Sequence, residues 1–167
     1  MLTARALDQF QALQEHIKLG RREHALTISD DLLQLQLSAF QRAITLQLQA
    51  SLYQELNQPE SALPAWRECL ACGFNSRASF AILELLLLPS LKIDQHKQVL
   101  DVMNLLILNR QGIYLLYFLL YVLQQYPLNQ QRFELIHFID SNDALRLASN
   151  PSLCSAWGRL RLLSLGR

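Results

Sequence analysis

The sequence predicts an all-α fold of paired helices, on three observations. Leucine and glutamine, both good helix formers, supply 39 and 17 of the 167 residues, while the β-branched residues that strands favour are scarce. Glycine and proline number only five each and fall at spaced points along the chain. Between those points, pairs of apolar positions recur with a period of 37 residues.

The punctuation lies at Gly20, Asn57-Gln58-Pro59, Gly73, Pro89, Gly112, Pro127 and Pro151. It divides the chain into segments that read as helices over 2–19, 22–37, 41–56, 60–72, 77–88, 94–109, 113–125 and 129–139. A shorter final pair is expected over 143–148 and 152–165. Asp94, Asn129 and Ser152 are expected N-caps, because their side chains accept from unpaired first-turn N–H groups. A helix ahead of Pro127 or Pro151 has to end before the proline. Pro64 lies early in its helix, where a missing N–H costs least.

The period links these elements. Ala25-Leu26 recurs as Ala62-Leu63, then Val99-Leu100, then Ile136-His137. Seven and eight residues further on come Leu32-Leu33, Cys69-Leu70 and Leu106-Ile107. Those offsets share one face of a helix, so they predict a core stripe. One helical hairpin cannot bury such a stripe, whereas stacked neighbours can.

Residues 43–75 resemble the tetratricopeptide repeat, with Ala50, Ala62 and Cys69 at the family's small positions and Tyr53 and Trp66 at its aromatic ones. Residues 6–38 resemble it through Gly20, Ala25 and Leu33; beyond residue 76 only the helix-pair rhythm continues. The resemblance implies a TPR-like α-α superhelix of about four hairpins plus a C-terminal capping helix or pair, in a single domain spanning 1–167. It also implies a peptide-binding groove lined by Gln14, Ile17 and Lys18 in the first unit and Gln47, Ser51, Gln54 and Glu55 in the second. The carboxylate clamp of chaperone-binding TPR proteins is absent from these positions. Amide side chains suit a partner's backbone instead.

A second candidate surface lies in 113–123, which is apolar around its circumference. Tyr114, Tyr117 and Tyr121 share one of its faces, and tyrosine is frequent among interface hot spots. Two readings stand open: a central core helix, or a partner groove or homodimer interface. Composition leaves the same choice. Charged residues are 17% and hydrophobic ones 51%, which fits apolar surface patches or a thick leucine core.

Other motifs read as structural. Cys69 and Cys72 have CxxC spacing but end a helix, where the dipole disfavours a thiolate; with Cys154 they are too few for a disulfide framework. Glu134 and His137 have the spacing of a di-iron ligand pair, but no second copy accompanies them, so His137 reads as an edge-of-core histidine. Glu84 reads as the one solvent-facing position of a buried helix. After Asp143 only Arg146, Arg159, Arg161 and Arg167 carry charge, giving a basic tail that is either solvated or set against an acidic partner. No catalytic constellation and no metal or cofactor site is expected.

A net charge of +1 gives no electrostatic case for nucleic acid. The most apolar windows, 80–88 and 113–123, are shorter than the ~20 residues that cross a bilayer. The sequence thus predicts a cytoplasmic, non-enzymatic adaptor or chaperone that holds an extended or helical segment of another protein. The alternative is a helical-repeat docking or regulatory subunit of an enzyme complex.

Overall fold

The computed structural model describes residues 3–87, 96–125, 130–141 and 151–164. These are helical nearly throughout, with no strand among them. The order is α1 (Ala4–Lys18), α2 (Arg22–Leu33), α3 (Ala39–Glu55), α4 (Pro59–Ala71), α5 (Ser76–Leu87), α6 (His96–Leu108), α7 (Gly112–Gln125), α8 (Gln130–Ser141) and α9 (Pro151–Ser164). Asp94, Asn129 and the expected short helix over 143–148 lie outside the described residues. Contacts divide the chain into two compact units, Met1–Ala78 and Ser79–Arg167.

In the first unit, consecutive helices α1 to α4 pack on one another. Side-chain caps start α1, α3 and α5, the last through Asn75 Oδ1, which accepts the Ala78 N–H at 3.0 Å. Thr3 Oγ1 accepts the Ala6 N–H at 3.2 Å, and Ser38 and Gln41 close a reciprocal capping box, at 3.2 and 3.0 Å. That box opens α3 two residues earlier than expected. It also leaves 34–37 as a linker, so α2 stops at Leu33 rather than residue 37. Leu35 and Leu37 in the linker still pack on the core formed by Ala6, Leu13, Ala25, Leu32 and Leu52. α4 begins at Pro59, in the first turn where proline is best tolerated, and continues through exposed Pro64.

Helix ends show why the chain turns where it does. Gly20, at φ +70°, ends α1 in a Schellman motif: Arg21 N–H donates to His16 O at 2.9 Å and Gly20 N–H to Ile17 O at 3.0 Å. Asn57, at φ +56°, repeats the motif after α3 through Gln58 to Tyr53 and Asn57 to Gln54. After α6 the left-handed residue is Arg110, at φ +62°, and not Gly112, which is buried at the start of α7.

In the second unit α7 packs on α6 and on α9. Its core is made of large aliphatics, among them Ile82, Leu83, Met103, Leu106, Leu115 and Leu119. α8 and α9 are tied by Asp140, whose two carboxylate oxygens accept from Trp157 Nε1 at 2.7 Å and Arg161 Nη1 at 2.5 Å. This corrects the basic-tail reading for Arg161, whose charge is paired within the chain. Arg159 is exposed, while Arg146 and Arg167 lie outside the described residues. Ser152 falls inside the first turn of α9 and does not precede it, because Pro151 already starts the helix.

Every position of the 37-residue stripe at 25, 62, 99 and 136 is buried, as are Leu32, Cys69 and Leu106. His137, read as an edge-of-core residue, is exposed beside buried Ile136. Glu84 is half-buried in a run whose neighbours are buried. No helix among the described residues is long and apolar enough to cross a membrane.

Candidate functional site

The helix α7 carries no charged residue from Gly112 to Gln125. It nonetheless has two distinct sides. Leu115, Leu116, Leu119, Val122 and Leu123 are buried. Ile113, Tyr114 and Tyr117 are 63%, 64% and 64% exposed, and Tyr121 is 50% exposed. At 3.6 residues per turn these four positions form one continuous stripe. Leu108, 81% exposed at the end of α6, stands just ahead of it in the chain. Within the stripe's border Phe118 touches both Tyr121 and Phe80, with ring centroids 6.5 and 5.4 Å apart, so Tyr121 is braced by an aromatic contact. One face of this helix is therefore core, and the face that carries the tyrosines is exposed.

The groove residues implied by the resemblance behave otherwise. Gln14 and Lys18 are exposed on α1. The four on α3 are engaged inside the first unit. Gln54 Oε1 accepts from Trp66 Nε1 at 2.8 Å, and Gln47 Oε1 accepts from Asn75 Nδ2 at 3.1 Å. Ser51 Oγ accepts from Arg77 Nη2 at 3.4 Å while donating to Gln47 O at 2.9 Å. Glu55 pairs with Arg22 at 2.6 Å. Both partners of that pair are about half exposed, so it adds little to stability. Gln47, Gln49 and Gln54 of α3 thus satisfy neighbouring segments: Gln49, buried, donates to Ser29 Oγ at 3.1 Å and to Asp30 Oδ1 at 2.7 Å. Gln49 carried no motif in the sequence, and its burial depends on the packing of α2 against α3.

Cys69 is buried in α4. Its thiol donates to Ala43 O at 3.4 Å and accepts from Asn75 Nδ2 at 3.8 Å. Burial foremost, and then the neighbouring Cys72, push its pKa from 9.0 up to about 11. A thiol held protonated at neutral pH is a poor nucleophile and metal ligand. Cys72 donates to Glu68 O at 3.4 Å. Among the described residues no group of three or more His, Cys, Asp or Glu is placed to hold a metal ion. A small cavity of about 210 Å³ in the first unit is lined by Phe10, Leu32, Leu37, Phe40, Gln41, Ile44 and Thr45, an almost wholly apolar set.

No protein-family model, curated protein or solved structure matches the chain.

Proposed function

We propose that this chain is a non-enzymatic protein-binding scaffold, TPR-like in build, whose contact surface is the tyrosine stripe of α7. The observation that carries the reading is the exposure of Ile113, Tyr114, Tyr117 and Tyr121 on a helix without a charge, opposite a fully buried leucine face. Apolar surface in one contiguous stripe costs solvation unless a partner covers it. Tyrosine suits this use because it offers a large stiff ring and a hydroxyl that tolerates water in the unbound state.

The TPR-like build is supported by two details. Ala50, Ala62 and Cys69 are fully buried and Trp66 nearly so, which lets α3 and α4 approach closely. The Schellman turns at Gly20 and Asn57 stand 37 residues apart, the same interval as the core stripe. Polar atoms of Gln47, Ser51, Gln54 and Glu55 are engaged within the chain, which favours α7 over α3 as the contact surface. The partner is expected to offer an apolar helical face.

Affinity capture with wild-type and Tyr117→Glu chains, compared by mass spectrometry, tests the reading. A bound protein whose recovery falls with Tyr117→Glu, in a variant with unchanged circular dichroism, is the expected result. Identical recovery from both chains would remove α7 as the contact surface.

A further inference from the structure

Resting on that reading, we infer that the stripe's partner is a second copy of this chain, paired α7 to α7 antiparallel about a twofold axis at Tyr117. Three features point to a copy. First, the stripe is its own complement in charge. With no charged side chain between Gly112 and Gln125 there is nothing for an oppositely charged partner to answer. A formal net charge of +1 per chain also opposes association only weakly.

Second, the stripe is close to symmetric in its own sequence. Tyr117 lies midway between Ile113 and Tyr121, so a twofold axis there sets Ile113 against Tyr121 of the other copy and Tyr117 against its equivalent. Aromatic rings meeting across the axis can adopt offset or edge-to-face contacts. Antiparallel helices also oppose their dipoles, which parallel ones would align. Third, the area is sufficient for a weak dimer. Half or more of each of the four side chains is exposed. At about 150–250 Å² per aromatic, the stripe and its glutamine borders present on the order of 500 Å² per copy. Fully covered on both copies, that is ~1,000 Å², below the stable specific interfaces and within the weak, reversible range.

Sedimentation analysis of the full chain, from roughly 1 to 100 μM, tests this. A concentration-dependent monomer–dimer equilibrium is expected. Tyr117→Glu, and independently Tyr121→Arg, should each weaken it more than about tenfold while circular dichroism stays unchanged. Orientation is read by cysteine cross-linking in a Cys72→Ser, Cys154→Ser background. Ile113→Cys should link to Tyr121→Cys in a mixture of the two, and Ile113→Cys alone should not link to itself. A monomeric wild type, a dimer indifferent to both charged variants, or self-linking of Ile113→Cys would overturn the inference. A monomer that still captures another protein through Tyr117 overturns only the copy and leaves the scaffold reading in place.

Discussion

Ala62 in the first unit and Val99 in the second stand 37 residues apart, at equivalent places in the periodic stripe, and both are buried. The units that hold them differ. The first also buries Ala50, Ala65, Cys69 and Trp66, and hydrogen bonds from Trp66 and Gln49 cross between its helices. The second buries leucine, isoleucine and methionine, and it leaves a tyrosine stripe outside. One unit gains definition from small residues and satisfied polar groups, which require close and specific packing. The other relies on aliphatic volume, which is less exacting about shape. A surface stripe is therefore better tolerated there, because the leucine face of α7 anchors the helix regardless of what its other face carries.

The largest effect should come from removing the first unit's central ring. Trp66→Ala deletes a buried side chain and strands Gln54, and should cost about 3–5 kcal/mol in urea unfolding.

Alkaline pH should come next. The unfolded chain releases the Cys69 proton near pH 9, whereas the folded chain holds it until about pH 11. The stability contributed is therefore complete below pH 9 and lost between 9 and 11, by about 2–3 kcal/mol. Urea midpoints measured at pH 8 and 10.5 should converge when Cys69→Ala is compared with wild type. A wild-type minus Cys69→Ala midpoint difference that is the same at both pH values would show that the thiol is not what senses pH.

A matched pair then contrasts the two cores. Ala62→Val should overpack its fully buried site by about 1–3 kcal/mol, while Ala81→Val, the same enlargement in the second unit, should cost less than about 1 kcal/mol. Equal costs, read by thermal unfolding, would erase the distinction drawn between the units.

The smallest effect belongs to the stripe. Tyr117→Ser changes a side chain that is 64% exposed and should alter monomer stability by less than about 0.5 kcal/mol. A larger loss would make Tyr117 part of the core.

Much of the helical framework was legible in the residues. Gly20, Pro59 and Gly73 bracket helices because a left-handed φ and a missing N–H are local properties. The capping box of Ser38 and Gln41 is likewise local, and it sets the start of α3. The candidate surfaces were less legible. Gln47 and Gln54 look alike in sequence whether they face a partner or a neighbouring helix, and Asn75 and Trp66 decide it. Arg161 resembled a free cation until Asp140, 21 residues earlier, came within 2.5 Å.

By itself the sequence determined the helical class, most helix ends and the buried phase of each amphipathic stripe, because these follow from neighbours within a turn or two. Only the tertiary structure decided which side of α7 is covered. That helix is apolar all round, so its periodicity cannot select a face. The packing of α6 and α9 buries its leucines and leaves Tyr114, Tyr117 and Tyr121 outside.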